Sequence, residues 1–284
     1  MKRGIAKNRW GHLPRKRLGQ HFLVDRNAME KLVAVADLGP EDVVLEIGPG
    51  RGEMTLLLAR RSRRVVAVEI DESLVGPLKA KTATLGNVTV IHGDALKVDL
   101  EEVCRSSGRR VKIVANLPYQ ISTPLLRRFI GLRHLISSMV LMLQKEVALR
   151  IVAKPRTRQY GALSVFLQLY TTPSIEMVLP PRCFFPRPKV DSALVRFSVN
   201  RAPRVEIHDE RSFERVVRVS FGHRRKTLKN ALRTILPSDL FTCKIEKLME
   251  EVGIDPGRRA ETMSLDDFAR LTDGLIPYLL PEGQ

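Results

Sequence analysis

The ten residues Val43–Gly52, V-V-L-E-I-G-P-G-R-G, constrain this chain more than any other stretch. Val43, Val44, Leu45 and Ile47 form a short apolar run with a β-branched bias, the pattern of a strand buried on both faces. Gly48, Gly50 and Gly52 follow at every second position, and the spacing of Met54–Ala59 predicts a helix. Strand, glycine turn and helix make the ligand-holding corner of an open α/β sheet. Glycine there permits positive φ and close approach of a ligand to the backbone. The alternative at this point is a plain tight turn.

The details of the loop narrow the ligand. The dinucleotide fingerprint is G-x-G-x-x-G, with a pyrophosphate at the helix N-terminus. This loop reads G-x-G-x-G, with Glu46 before it and Glu53 after it. Two carboxylates flanking the turn repel a pyrophosphate and suit a cation. The sulfonium and ammonium groups of S-adenosylmethionine answer that description. Arg64–Ile70, R-V-V-A-V-E-I, predicts a second buried strand, and its Glu69 lies 21 positions after Gly48. That is close to the spacing of about 20 expected of a carboxylate holding ribose hydroxyls.

Charge points to a second kind of partner. Lys and Arg outnumber Asp and Glu by 48 to 31, a net +17 over 284 residues. Nucleic acid is the usual partner of such an excess, with a generic solubility charge as the alternative. Met1–Arg17 holds seven cations and no acid, and is read as a basic arm that touches phosphate or, alternatively, as a solvated tail. The arm runs straight into Leu18–Leu23, leaving little room for a transit peptide, and has no apolar core for a secretory signal. No apolar run approaches 18 residues, so no membrane span is expected. Cys104, Cys183 and Cys243 are far apart in sequence, which supports neither a disulfide framework nor a zinc site. Reduced thiols and a cytoplasmic location are expected, with no metal.

In chain order, Asp25 is a candidate cap for a helix over Arg26–Ala36. Further strands are expected at Asn87–Ile91, Val111–Ala115, Ser138–Gln144, Glu176–Leu179 and Val190–Val199, with helices at Glu72–Lys81, Ser122–Ile130, Lys145–Ala153 and Tyr160–Tyr170. Strands alternating with helices mean a parallel sheet whose ligands sit at the strands' carboxyl ends. Asp94, after the third strand, is read as an acceptor for an adenine amino group or as an ordinary turn residue. A proline-rich connector, Pro180–Pro188, is stiff enough to hold Phe184 or Phe185 over a pocket, or to pack one of them in the core. After a junction at Arg201–Arg204 come expected helices at Phe213–Phe221, Lys226–Ile235, Lys244–Val252 and Leu265–Tyr278. Arg224, Arg225 and Lys226, with Lys229 and Arg233, form a candidate RNA grip; a solvated helix face is the alternative. The expected domains are a basic arm over 1–17, a catalytic domain over 18–200 and a helical RNA-binding domain over 201–284.

Asn116-Leu117-Pro118-Tyr119 follows the fourth strand of that sheet. An exocyclic adenine amine is a poor nucleophile, because its lone pair is delocalised into the ring. The Asn116 side-chain oxygen and the Leu117 carbonyl can each accept one N–H and aim the nitrogen, which is catalysis by positioning. Pro118 fixes the loop. Tyr119 offers a face on which a base stacks, worth about 1–3 kcal/mol. A base inside a duplex cannot reach such a site, so the target is single-stranded or flipped. The alternative is a turn that merely closes a strand.

These motifs together resemble the KsgA-type small-subunit ribosomal RNA adenine dimethyltransferases. The resemblance rests on Gly19–Leu23, Glu46–Gly52, Val68–Asp71, Gly93–Ala95, Asn116–Tyr119, Phe184–Ser192 and Phe221–Leu228, and covers nearly the whole chain. It implies a class I S-adenosylmethionine-dependent methyltransferase, Rossmann-like with a seven-stranded sheet and a small all-helical C-terminal domain. It implies transfer of two methyl groups to N6 of each of two neighbouring adenosines, in a hairpin loop near the 3′ end of 16S-type rRNA, leaving S-adenosylhomocysteine. The implied substrate is rRNA within an immature 30S-type subunit, and the implied enzyme is a monomer. By the same resemblance His21, Leu23, Gly48, Gly50, Glu69, Asp94 and Asn116 contact the cofactor. Asn116, Leu117 and Tyr119 hold the target amine, with Phe184 on the other face of the base. His21 stands where many relatives have Asn. The form of Asn116–Ser122 and the short chain lean toward an archaeal member. The rivals are a large-subunit rRNA adenine methyltransferase of the antibiotic-resistance type, a non-catalytic RNA-binding assembly factor, and, disfavoured by the loop pattern, a nicotinamide oxidoreductase.

Overall fold

A computed structural model describes residues 14–15, 18–222 and 226–281, apart from the side chains of Thr242 and Cys243. Nearly all of the proposed basic arm over 1–17, and both Arg224 and Arg225, lie outside the described residues.

The first half alternates strand and helix. β1 (Phe22–Leu23) leads to α1 (Arg26–Val35), β2 (Val43–Ile47), α2 (Glu53–Ala59), β3 (Arg64–Glu69), α3 (Glu72–Thr82) and β4 (Val88–His92). Then come α4 (Leu100–Arg105), β5 (Val111–Asn116), α5 (Ser122–Gly131) and β6 (Ile136–Gln144). α6 (Lys145–Ile151), α7 (Ala162–Tyr170), β7 (Thr171–Leu179), β8 (Phe184–Phe185) and β9 (Ser192–Val199) follow. The chain ends in helices α8 (Glu210–Gly222), α9 (Leu228–Leu232), α10 (Ser238–Cys243), α11 (Ile245–Glu251) and α12 (Leu265–Leu275).

Seven strands form one sheet in the order β4-β3-β2-β5-β6-β9-β7. From β2 the chain steps outward through β3 to β4, then returns to place β5 on the other side of β2. β2 and β5 therefore flank a topological switch point, where open α/β sheets bind ligands. The parallel register keeps the strand ends level: Ile47 lies beside Val68 and Ala115, Glu69 beside His92, and Asn116 beside Met142. One edge of the sheet thus carries the glycine loop, Glu69, Asp94 and Asn116.

The helix starts follow their caps. The Asp25 carboxylate accepts from the Ala28 amide at 3.0 Å, and Asp71 caps α3 by accepting from the Ser73 amide at 3.2 Å. Each supplies an acceptor to a backbone donor that the helix itself leaves unpaired. One side of β2 is sealed by α1 and α2, with Leu32, Leu58, Met54 and Val44 in a shared apolar cluster.

Two differences from the sequence expectations are instructive. β7 begins at Thr171, ahead of Pro173, whereas the expected strand began only at Glu176. β7 is the edge strand, and an edge tolerates a residue that cannot donate to the ladder. The second is a two-stranded antiparallel sheet, with Phe22 opposite Phe185 and Leu23 opposite Phe184. It ties the N-terminal motif to the proline-rich connector.

Contact density separates Met1–Lys145 with Ser174–Phe197 from Glu146–Pro173 with Ser198–Gln284. The second unit takes α6 and α7 along with the C-terminal helices, so it is larger than the expected 201–284. Its core contains Tyr160, Tyr170, Phe213 and Phe268, and the Tyr160 hydroxyl donates to the Met263 carbonyl at 2.9 Å. No helix among the described residues is long and apolar enough to cross a membrane.

Candidate active site

The glycine loop is built as its sequence demands. Gly48, Gly50 and Gly52 have φ of +68°, +58° and +80°, the left-handed region that other residues avoid. At Gly50 an added Cβ would meet the Phe22 ring at 2.8 Å, whereas at Gly48 it would enter open space. The room above Gly48 is the cradle. The Gly50 amide donates to Glu69 Oε2 at 2.9 Å, and the Asp71 amide donates to Oε1 at 2.8 Å. A carboxylate offers about four acceptor sites, so Glu69 retains acceptor capacity for a ribose hydroxyl. Burial pushes the Glu69 carboxyl above its ordinary range, against the pull of these amides. Asp71 is itself fixed, by Gln20 Nε2 at 3.0 Å and Arg15 at 3.3 Å.

Glu46, two residues before Gly48 at the end of β2, is the most unusual group beside the loop. It is 0% exposed, and neither carboxyl oxygen has a hydrogen-bond partner among the described residues. Burial pushes its pKa up to about 8; the Thr55 hydroxyl opposes the rise, while the charges of Glu69 and Glu53 add to it. Arg51, also desolvated, lies in the loop between these acids. An orphaned buried carboxyl among carboxylates is stabilised by a cation placed nearby and not by another anion. The residues present therefore fit a cationic nucleoside: a diol acceptor at Glu69, an open glycine cradle and an acidic surround.

One narrow cleft brings most of the expected residues together. Gly19, Gln20, His21, Phe22, Gly48, Gly50, Glu69, Ile70, Asn116, Leu117, Pro118 and Tyr119 line it. The Asn116 Nδ2 donates to the His21 carbonyl at 2.8 Å. With the nitrogen committed, the side-chain oxygen is the end that remains for a substrate N–H. The Leu117 amide donates to the Met142 carbonyl at 3.2 Å, which anchors the loop to β6. The Tyr119 hydroxyl pairs with Ser192 Oγ at 2.6 Å, and its ring stacks on His21 with centroids 5.5 Å apart. His21 Nδ1 contacts the Pro186 carbonyl at 2.7 Å. The His21 ring thus buttresses Tyr119, a role its sequence position alone does not reveal. Leu23 lines the adjoining space with Gly48 and Asn116. Asp94 Oδ1 accepts from the Leu96 amide at 2.9 Å, so this residue holds its turn and leaves Oδ2 available.

Of the two readings of the connector, Phe184 follows the one that packs a ring in the core. It is 2% exposed and packs in the apolar cluster with Met29 and Leu32, outside the cleft lining. Neighbours in a strand face opposite sides, and pairing with Leu23 turns Phe184 inward while Phe185 stays half-buried. A pair of adjacent phenylalanines does not say which of the two faces in.

The basic residues of the second unit divide. Lys226 is exposed, whereas Lys229 is ion-paired with Glu246 at 2.6 Å, so its charge is offset. A feature absent from the sequence reading is a cavity of about 800 Å³ lined by Arg150, Arg158 and Arg218, with Glu146, Tyr160 and Phe221. The three arginines come from α6, the loop before α7, and α8. Only their convergence identifies them. Among the described residues no group of three or more His, Cys, Asp or Glu side chains is arranged to hold a metal ion.

Comparison with known proteins gives a consistent picture. Residues 11–276 match the family described as ribosomal RNA adenine dimethylase. The chain is 45% identical, over 92% of its length and 95% of the relative's, to a ribosomal RNA small subunit methyltransferase A from Geobacter metallireducens. That relative is bacterial and lends nothing to the archaeal leaning of Asn116–Ser122. The crystal structure of a dimethyladenosine transferase from Plasmodium falciparum is similar with a TM-score of 0.78 at 24% identity, over 91% of this chain and 99% of that one. The crystal structure of the 23S rRNA methyltransferase ErmE is similar with a TM-score of 0.68 at 26% identity, over 90% and 99%.

Proposed function

This chain belongs to the ribosomal RNA adenine dimethylase family, and from that premise we propose that it dimethylates N6 of two adjacent adenosines in small-subunit rRNA. S-adenosylmethionine supplies an electrophilic methyl group on a sulfonium centre. Glu69 holds the ribose diol, the backbone at Gly48 and Leu23 cradles the amino-acid end, and the free oxygen of Asp94 accepts from the adenine amino group. The acids around the loop match the positive charge of that donor.

Asn116 and Leu117 carry the chemistry of the acceptor. The Asn116 side-chain oxygen accepts one N–H of the target amine, and the Leu117 carbonyl accepts the other. Together they draw the nitrogen lone pair out of conjugation and aim it. Tyr119 supports the base by stacking, with its own ring held by His21 and Ser192. As the nitrogen gains a methyl group it becomes positively charged and acidic and gives up a proton to solvent water, so no strong base is required. Phe184 has a packing role in this proposal.

The substrate is rRNA in an immature small subunit, met by a monomeric cytoplasmic enzyme. The basic arm, Arg224, Arg225 and Lys226, and the arginines of the 800 Å³ cavity, supply phosphate contacts. A large-subunit target is the rival reading, favoured by the likeness to ErmE. The 45% identity to a small-subunit enzyme weighs against it. The observation that carries the proposal is Asn116 Nδ2 locked on the His21 carbonyl beside the Glu69 cradle. Titration calorimetry with S-adenosylmethionine tests it: saturable binding to the wild type, weakened about tenfold or more in Glu69→Ala, is expected, on the scale of a charge-assisted hydrogen bond. No heat of binding, with or without RNA, contradicts it.

A further inference from the structure

The space bounded by Gly48 and Asn116 does not end there. Phe22, Leu23, Met29, Arg51 and Glu53 line it and also line a second cavity of about 290 Å³. That cavity has an apolar floor, completed by Leu56 and Leu57, and a cationic rim of Arg26, Arg51 and Arg60. We propose that it receives the unpaired nucleotide that adjoins the target adenosine in the rRNA strand, with the base on the apolar floor and the phosphate at the arginines. This inference rests on the rRNA methyltransferase reading given above.

Size and chemistry agree. The volume is near the lower end, about 300 Å³, of ordinary ligand pockets and suits a base with part of its sugar. The Arg51 guanidinium lies 4.6 Å over the Phe22 ring and is partly desolvated, so a planar cation and an aromatic ring already meet there. Such pairs stack with nucleobases. Arg26 is held by Glu30 at 2.9 Å, while Arg60 is exposed at the end of α2. Guanidinium groups bind phosphate bidentately.

The same rim disfavours the other occupants. The exposed Arg60 guanidinium favours an anionic group over a second cation at this place. A purely apolar partner uses the floor and not the charged rim. Glu53, bridged to Lys81 at 3.1 Å, retains acceptor capacity for an exocyclic amino group. Adenine, guanine and cytosine present such a group and uracil does not. A strand that delivers one base to Asn116 carries its neighbour on a single phosphodiester, and Phe22 lines both the cleft of Asn116 and Tyr119 and this cavity.

The test uses full-length enzyme and unmethylated small-subunit rRNA with 2-aminopurine placed immediately 5′ or 3′ of the target adenosine. One of the two positions is expected to change in fluorescence several-fold on binding the wild type. That change is expected to be lost in Leu57→Trp, which fills the cavity, and reduced in Arg60→Glu, which alters only an exposed rim charge. Both variants are expected to raise KM for RNA about tenfold, the loss of one stacked base, with the affinity for S-adenosylmethionine unchanged. Wild-type methylation with neither probe position responding overturns the inference alone. So does an unchanged KM in Arg60→Glu together with an unchanged probe signal. Absence of wild-type methylation on any small-subunit rRNA overturns the functional reading and this inference together.

Discussion

The glycine-loop cleft and the arginine-lined cavity of the second unit are built on opposite principles, although one strongly basic chain supplies both. The cleft concentrates acids: Glu46, Glu53 and Glu69 surround a loop whose positive-φ glycines bring bare backbone to the ligand. It is assembled from the level ends of neighbouring parallel strands, with Gly19–Phe22 completing the lining. The cavity concentrates arginines from α6, a loop and α8, on exposed side chains. The difference teaches how a chain of net charge +17 holds a cationic donor and a polyanionic acceptor at once. Glu46 and Glu69 are buried, where low dielectric strengthens any charge they carry, while Glu53 is exposed and bridged to Lys81. The arginines proposed for the acceptor are exposed, where screening makes each weak and their sum salt-dependent.

The largest effect that sharpens this contrast is at Asn116. Asn116→Ala removes the acceptor for the target amine, and methyl transfer is expected to fall about 1000-fold or more, the scale of losing one positioned polar group in a reaction centre. RNA binding measured by filter retention stays within about twofold, because phosphate contacts dominate affinity. Full activity in that variant would remove Asn116 from the mechanism.

The buried acid supplies the next test. The Glu46 carboxyl ordinarily titrates near 4.5 and is pushed up to about 8 in the folded protein. The folded state therefore holds a proton that the unfolded state has lost across that window. Its stabilising contribution is full below about pH 4.5 and declines as pH rises toward 8. Glu46→Gln mimics the protonated form without this decline. In cofactor-free protein the variant is expected to match the wild type at pH 4.5 and to exceed it by on the order of 3 kcal/mol at pH 8. Urea unfolding at the two pH values measures it, and parallel stabilities would mean that Glu46 titrates normally.

The smallest effects belong to the arginines. Arg150→Ala with Arg218→Ala is expected to weaken RNA binding about tenfold at low salt and to lower the slope of log K against log salt by about 1.4, two single-strand phosphate contacts. Neutralising Arg224, Arg225 and Lys226 is expected to flatten that slope further. Donor affinity stays constant in both. An unchanged slope would place the phosphate contacts elsewhere.

Legibility in the sequence followed the same division. Val43–Ile47 and the strand-end positions of Glu69 and Asn116 are legible because short apolar runs and strand-turn-helix spacing fix them locally. The register then levels the strand ends, as a parallel sheet must. The pairing of Phe22 with Phe185 joins segments too far apart for any local pattern to report. The same pairing turned Phe184 inward. Pro173 concealed the start of β7, because only the sheet order reveals that this strand is an edge. The convergence of Arg150, Arg158 and Arg218 is likewise a property of packing. The resemblance implies a cofactor contact for His21, but its buttressing of Tyr119 depends on ring positions that no spacing encodes.

The most direct test of the central claim is incubation of the protein with methyl-labelled S-adenosylmethionine and unmethylated small subunits, followed by mapping of the modified nucleotides. The account predicts label on N6 of two adjacent adenosines of small-subunit rRNA, as dimethyladenosine. Label confined to large-subunit rRNA in a parallel reaction, or no label in either, would contradict it.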